Sequence, residues 1–520
     1  MAMNGGQALI RTLVNSGVDV CFMNPGTSEM HFVAALDQVP EMRGVLALFE
    51  GVATGAADGY ARMAGRPAAT LLHLGPGVGN GMANLHNARR AKTPMVNIVG
   101  DHATYHKRFD AQLESDIEGA AETVSGFLRT SASTKDLPSD AIDAIRAAFG
   151  PPGQVATLVL PADVSWTEGA EPLSVQLGPR PRRVSQDAIE DIAKILRASE
   201  RTAILLGGQA LREPGLVAAA KIAAATGARV YHETFPARIQ RGGGLPYPDR
   251  IAYLGEVAAG QLADLEHLIL VDAKAPVSFF AYPDKPSFLP PDGCQIHTLA
   301  DPSEDPVAAL QALMEAADAS GSDMEPKAPH RPERPSGELN AETFSNAIAA
   351  LLPEGAIVSD ESNTTGAFLL PLTAGGPAHD WLTLTGGAIG QGLPAAVGAA
   401  VACPDRKVIA LEADGSAMYT PQAWWTMARE GLDVVTVVLN NSSYAILNME
   451  LMRVGAEGKG PKAAEMLDLS DPKLDHASIA KGFGIPATRA TTADEFVEQF
   501  SAALEAQGPA VIEAIVPSLF

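Results

Sequence analysis

Val408-Ile409-Ala410-Leu411-Glu412-Ala413-Asp414-Gly415-Ser416 is an apolar run that stops at a carboxylate and a glycine. Val434-Val435-Thr436-Val437-Val438-Leu439-Asn440-Asn441-Ser442-Ser443-Tyr444 is a second such run, stopping at two asparagines. Both are short and rich in β-branched residues, so each reads as a strand buried on both faces of a parallel sheet. One helix, over 416–430, is expected between them. In a right-handed strand–helix–strand unit both strand ends reach the same sheet edge, where α/β proteins bind ligands. Asp414 and Asn441, 27 positions apart, therefore share that edge. A carboxylate, an amide oxygen and a loop carbonyl make a hard oxygen set suited to Mg²⁺ completed by water and phosphate. The Gly415 and Ser416 amides, at a helix start, can take a phosphate. Either residue alone reads as an ordinary cap or turn; the pair in this strand context is the specific signal.

The same alternation of short apolar runs and Ala- and Leu-rich helical segments extends through the chain. Further strands are expected over 18–22, 45–49, 68–73, 95–99 and 155–160, then 203–206, 229–232, 268–271 and 295–298, and last 357–359, 382–385 and 511–515. The expected fold class is α/β, with three doubly wound parallel-sheet domains over 1–165, 182–319 (Rossmann-like) and 338–520. Residues 166–181 and 320–337 read as linkers, the second carrying Pro326, Pro329, Pro332 and Pro335 at a spacing that favours extended chain. Glycine clusters at 75–81 and 386–392 each follow a strand and open a helix, which permits close approach of a ligand. Taken alone such clusters are often simple punctuation. No strict G-x-G-x-x-G stands at the first strand, so a nucleotide-binding dehydrogenase is a poor reading.

Composition narrows the function. With 520 residues, 46% apolar and 19% charged, the chain can build several cores. A net charge of −23 argues against binding nucleic acid, and no basic stripe offsets it. Cys21, Cys294 and Cys403 lie far apart in apolar contexts and read as buried thiols of a reducing cytoplasm. The first residues lack a signal-peptide pattern, and the most apolar stretch, 395–403, is far too short to span a bilayer, so no membrane role is expected.

The Asp414/Asn441 pair resembles the G-D-G…N-N motif of thiamine-diphosphate enzymes, with Ala413 in place of the first glycine. Phe49-Glu50 leads into Gly51-Val52-Ala53-Thr54-Gly55-Ala56-Ala57-Asp58-Gly59-Tyr60-Ala61, which is similar to the activating-glutamate pattern of the same family. Over its whole length the chain resembles acetolactate synthases, benzoylformate decarboxylases and oxalyl-CoA decarboxylases. Their domain order is pyrimidine-binding, central, diphosphate-binding. The resemblance implies thiamine diphosphate and Mg²⁺ as cofactors, with the metal on Asp414, Asn441 and the Ser443 backbone oxygen. It places Gly415, Ser416, Tyr444 and Ile446 at the cofactor as well. Ile389 would bend the cofactor and the Gly387 carbonyl would receive its 4′-amino group. Glu50 would exchange a proton with pyrimidine N1′; read bare, it is also a helix-start glutamate favoured by the dipole. A homodimer or homotetramer with active sites between subunits is implied.

The implied activity is decarboxylation or carboligation of a 2-keto acid by an acetolactate-synthase-like lyase or transferase without flavin. The alternatives are a 2-hydroxyacyl-CoA lyase or oxalyl-CoA-decarboxylase-like lyase, and a catalytically silent cofactor-binding relative. In the pocket, Asn24-Pro25-Gly26-Thr27-Ser28-Glu29 and Leu72-His73-Leu74-Gly75 resemble benzoylformate decarboxylases, so Thr27, Ser28 and His73 are candidates for handling the substrate carboxylate and protons. Two departures stand out. Ala281 falls where those enzymes carry a second catalytic histidine, and Glu450, close after Leu447, replaces an aromatic. That carboxylate either meets a hydroxylated or cationic substrate or faces solvent. His102 and His106 are pocket-edge candidates on a polar loop. Val271-Asp272-Ala273-Lys274 stands where flavin-binding synthases carry arginine, so FAD is not expected, and binding of ADP or a CoA tail in the central domain stays open.

Overall fold

In the computed structural model the structure describes residues 3–176, 181–199, 201–456 and 460–518. Apolar runs pair into three large sheets. The first is wholly parallel, in the order Arg43–Leu46, Val20–Met23, Ala68–His73, Met95–Asp101, Val155–Pro161 and Phe127–Thr130. The central one is also parallel, in the order Asp249–Arg250, Arg229–His232, Thr202–Leu206, His267–Val271 and Gln295–Ala300. The third runs Ile239–Arg241, His379–Thr383, Ile357–Glu361, Val408–Ala413, Val434–Asn440, Ala510–Ile515 and Ala487–Ala490.

Its first strand is antiparallel and comes from the middle of the chain, so residues 239–241 cross from the central segment to close the edge of the third sheet. Near the N-terminus, Met3–Asn4 pairs with Glu168–Ala170, so strand structure enters residues 166–181; residues 177–180 of that segment lie outside the described residues. No helix among the described residues is long and apolar enough to cross a membrane.

Strand order fixes where ligands can sit. In the first sheet the chain leaves Val20–Met23 for a neighbour on one side and returns to Ala68–His73 on the other. In the third, Ile357–Glu361 is flanked by His379–Thr383 on one side and Val408–Ala413 on the other. Each is a topological switch point, where connections diverge and leave a crevice at the carboxyl ends of the strands.

The helices Glu50–Ala64 and Gly392–Ala402 join the first and third sheets. Their contact is backbone against backbone. A Cβ at Gly59 would stand 2.1 Å from the Ala395 carbonyl oxygen, and one at Gly398 would stand 1.8 Å from that of Ala56. Only glycine allows this approach. Val45, Val52, Leu72, Leu393, Val397 and Val408 fill one continuous core across the seam.

The single helix expected over 416–430 is two: Asp414–Ala417 and Gln422–Glu430. Pro421 has no N–H and cannot lie in a helix interior, so the chain turns at Tyr419-Thr420-Pro421. The break turns Thr420 inward, and its hydroxyl donates to the Gly390 carbonyl over 3.0 Å.

Candidate active site

Asp414 directly follows the strand Val408–Ala413 at the switch point of the third sheet and is only 2% exposed. Its Oδ1 accepts the Gly415 N–H at 2.9 Å and its Oδ2 accepts the Ser442 N–H at 2.7 Å. Burial pushes this carboxyl above its ordinary range, opposed by those backbone donors and by His476. The His476 ring contacts the Asp414 carbonyl at 3.1 Å.

The turn after Val434–Asn440 wraps around this carboxylate. Ser442 adopts φ +54°, and the Asn441 side-chain oxygen accepts the Ser443 N–H at 2.9 Å. No hydrogen bond reaches the Ser443 carbonyl from the described residues. A shielded carboxylate held only by neutral donors, beside an amide oxygen and an open carbonyl, fits a hard divalent cation. The set holds one ionisable side chain, and no group of three His, Cys, Asp or Glu forms a metal cluster among the described residues. Tyr444 lies over Gly415, where a Cβ would stand 2.5 Å from the ring. The Ser416 hydroxyl accepts the Asn363 amide at 3.0 Å. Ile446 is half-buried and Leu447 exposed on the helix Ala445–Arg453 that follows.

The glycine turn at 386–392 stands beside this edge. Gly387 has φ +74° and packs against the Phe279 ring, which a Cβ there would meet at 2.6 Å. Ile389 is half-buried. Glu361 holds the turn from beneath: its two oxygens accept the Gly390 N–H at 2.7 Å and the Gly392 N–H at 2.6 Å. Burial pushes Glu361 up to about 7 against those donors. Glu412, opposite Glu361 in the sheet, is fully buried with neither carboxyl oxygen hydrogen-bonded, and burial beside Glu361 holds its carboxyl well above the usual range. Neither Glu361 nor Phe279 was singled out by sequence reasoning. A glutamate ending a strand next to another acidic strand end was the available signal.

Glu50 is the first residue of Glu50–Ala64 and is buried; its Oε2 accepts the Asn80 amide at 3.0 Å. Within one chain, Asn84 donates to the carbonyls of Gly51 at 2.8 Å and Gly390 at 3.1 Å, tying the glutamate helix to the glycine turn.

The switch point of the first sheet gathers Thr27, Ser28 and His73. Thr27 is exposed and Ser28 half-buried in the short turn Thr27–Glu29, while His73 ends its strand. His73 Nδ1 meets Glu29 Oε2 at 2.8 Å. His102 and His106 lie on the loop after Met95–Asp101 with ring centroids 5.3 Å apart, and His102 Nε2 is buried without a partner.

Ala281 is exposed on the central segment that also carries Phe279 and Tyr282. Glu450 is held inside the protein: Oε2 accepts the Tyr282 hydroxyl at 2.8 Å and Oε1 accepts the Arg453 guanidinium at 2.9 Å. In the central sheet the loop amides at the strand ends already serve protein carboxylates, Gly208 N–H donating to Glu233 at 3.2 Å and Gln209 N–H to Asp272 at 3.0 Å.

Comparison with known proteins places the chain in a family. Residues 3–121 match the model of the thiamine pyrophosphate enzyme N-terminal TPP binding domain, and residues 368–514 match that of the C-terminal TPP binding domain. The chain is 57% identical over 520 residues to "Putative acetolactate synthase large subunit IlvX" of Mycobacterium tuberculosis, covering 99% of this chain and 100% of that protein. It is 30% identical over 528 residues to a benzoylformate decarboxylase of Pseudomonas aeruginosa, covering 96% of each. In fold it is similar to a thiamine diphosphate-dependent 4-hydroxybenzoylformate decarboxylase of Rhodococcus jostii RHA1, with a TM-score of 0.86, 24% identity and 99% of each chain covered. With both cofactor-domain models matched and relatives aligned along its full length, this chain belongs to the thiamine pyrophosphate enzyme family.

Proposed function

We propose that this enzyme decarboxylates a 2-keto acid, or joins the resulting acyl unit to a second carbonyl, using thiamine diphosphate and Mg²⁺. The observation that carries the reading is the buried Asp414 carboxylate, with only neutral donors, beside the Asn441 amide oxygen and the open Ser443 carbonyl. In this reading Asp414, Asn441 and Ser443 hold the metal, and the Gly415 and Ser416 amides receive the diphosphate. Tyr444, Ile446, Ile389 and the Gly387 carbonyl would line the site of the cofactor. The cofactor, once bound, supplies the carbanion and electron sink for cleavage next to the keto group.

The chain's own groups orient the substrate, exclude water and move protons. Glu50 exchanges a proton with the aminopyrimidine, and burial at a helix start keeps its carboxyl in place. Thr27 and Ser28 orient the substrate carboxylate, and His73 passes protons. Glu50 of one copy serves the Asp414 site of another, so a dimer is the smallest active unit and a tetramer its pairing. Names carried by the relatives, acetolactate synthase large subunit and benzoylformate decarboxylase, support a 2-keto acid as substrate. The occupation of Gly208 and Gln209 amides by Glu233 and Asp272 favours this over an acyl-CoA substrate held in the central crevice.

The test is a panel of 2-keto acids and CoA thioesters, with added thiamine diphosphate and Mg²⁺, analysed for CO₂, aldehyde and hydroxyketone. Turnover of a keto acid that stops on chelation and returns with Mg²⁺ is expected. Failure of the protein to bind the cofactor with Mg²⁺ in calorimetry would sink the reading.

A further inference from the structure

Glu29 is completely buried at the switch point of the first sheet, an unusual place for a carboxylate unless its surroundings are built for it. Its Oε2 accepts two hydrogen bonds, from the Gly26 N–H at 2.6 Å and from His73 Nδ1 at 2.8 Å. Its Oε1 has no partner and lies over the backbone of Gly100, where a Cβ would stand only 1.6 Å away. Gly26 lies equally close to the imidazole: a Cβ there would be 2.3 Å from His73 Nδ1. Two glycines, one in the loop after its strand and one near a strand end, thus leave room for one carboxylate and one imidazole, and His73 is the one ion-pair partner of Glu29 among the described residues.

We infer that Glu29 is a positioning residue that fixes His73 with Nδ1–H donating inward and Nε2 turned to the substrate side of the cleft. This rests on the proposed function, because it assigns a proton-handling role to His73. The geometry follows from donor counting. Burial pushes the Glu29 carboxyl above its ordinary range, opposed by His73 and the Gly26 N–H. Ionised against these two donors it only accepts, so the hydrogen between Glu29 and His73 belongs to Nδ1, and the singly protonated ring carries its lone pair on Nε2. The ring's side chain is 22% exposed, so one side stays open. When Nε2 takes a proton, the imidazolium charge forms against a carboxylate that water cannot screen; when Nε2 gives the proton up, the ring returns to the same tautomer. The same division of labour, a buried carboxylate orienting a proton-carrying histidine, operates in serine proteases.

The experiment uses the holoenzyme, labelled with ¹⁵N-histidine, together with Glu29→Gln and His73→Ala. The His73 signal, identified by its loss in His73→Ala and read across a pH series where the ring carries one proton, should show a protonated Nδ1 and a bare Nε2. Glu29→Gln keeps the shape and an acceptor oxygen but loses the charge. It should lower kcat by about 100-fold, the scale of one acid–base group, with KM changed less than about threefold. Adding His73→Ala to Glu29→Gln should cost little more, since the two act as a unit. A His73 protonated on Nε2 alone, or an undiminished kcat in Glu29→Gln, would overturn the inference. Absence of turnover in the wild type would instead overturn the proposed function, and the tautomer would still decide whether Glu29 sets the ring. The tautomer measurement needs no variant at Glu29, so poor folding of Glu29→Gln leaves it intact.

Discussion

Arg62 and Asp58 face each other one turn apart on the helix that begins at Glu50, with Arg62 Nε 2.9 Å from Asp58 Oδ1 and a terminal guanidinium nitrogen 2.6 Å from Oδ2. Both side chains are sealed from solvent, at 2% and 0% exposure. The pair also grips the glycine turn of the third sheet. Gln391 donates to Asp58 at 2.5 Å, while Arg62 donates to the Thr383 carbonyl and the Thr385 hydroxyl, each at 2.9 Å. Removing one member leaves the other charged and buried, which costs about 3–5 kcal/mol. Asp58→Ala should therefore destabilise strongly, and the double variant Asp58→Ala/Arg62→Met should lose much less than the sum of the singles. Urea unfolding of the four proteins measures this; additive losses would mean that the two groups act separately.

Glu50→Gln tests the proposed activating carboxylate. The amide retains the size and can still contact Asn80, so cofactor and Mg²⁺ should bind within a few-fold of the wild type. Exchange of the cofactor's C2 hydrogen should fall by about 100-fold or more, as expected for loss of a proton-exchanging group. Exchange is followed by deuterium incorporation into the bound cofactor, and an unchanged rate would remove Glu50 from that role.

Much of this was legible in the residues. Strand positions followed from β-branched runs, and the edge shared by Asp414 and Asn441 followed from the handedness of a strand–helix–strand unit. What escaped was set by contacts between distant segments. Glu29 reads as one more polar residue in a turn, and only the fold reveals that Gly26 and Gly100 close around it. Phe279 sits in an irregular segment with no period to read, yet it packs on Gly387. The antiparallel strand Ile239–Arg241 is too short for its three residues to display an alternation, and its pairing with His379–Thr383 depends on the third sheet having an open edge. The helix break at Pro421 was visible in principle, since proline within a helical stretch is a reliable stop.

Acid should destabilise the protein through two buried histidines. His232 and His379 each place Nδ1 2.7 Å from a backbone carbonyl, of Glu233 and Pro377 respectively. Burial pushes His232 down to about 3 and His379 down to about 4. In the unfolded chain both return to the ordinary value of about 6.5. Below that pH the unfolded state takes up protons that the folded state refuses, so stability is full above 6.5 and falls as pH drops towards the folded values. Each histidine contributes a slope of about 1.4 kcal/mol per pH unit well inside this window. Glu233, which burial pushes up to about 7, acts in the opposite sense between that value and the ordinary glutamate range. The informative quantity is therefore a difference. His232→Asn, whose amide can replace the Nδ1–H donor, should show a shallower fall in unfolding free energy from pH 6.5 to 4.5 than the wild type. Parallel curves would mean that His232 protonates freely in the folded state.

Glu450 should act as a strut and not as a reader of substrate charge. Arg453 lies against it at 2.9 Å, donates to the Tyr282 hydroxyl at 2.9 Å and reaches Glu256 at 2.7 Å. Its guanidinium carbon stands 4.1 Å from the centre of the Tyr282 ring, within cation–π range. Glu450 and Arg453 are only 12% and 11% exposed, so the pair is worth more than a solvent-screened surface bridge. Together they fasten the helix Ala445–Arg453, and with it the Ser443 turn through Asn448, to the central segment. Arg453→Met removes the charge partner and leaves Glu450 with the hydroxyls of Tyr282 at 2.8 Å and Tyr253 at 3.4 Å, at a cost of about 1–3 kcal/mol. Amide exchange in residues 445–453 should accelerate, and cofactor affinity should fall with it. Glu450→Gln keeps the Tyr282 hydrogen bond and should leave the ranking of keto acids unchanged, including those with cationic side chains. A selective loss of cationic substrates in Glu450→Gln would show that the carboxylate faces the pocket when substrate is bound.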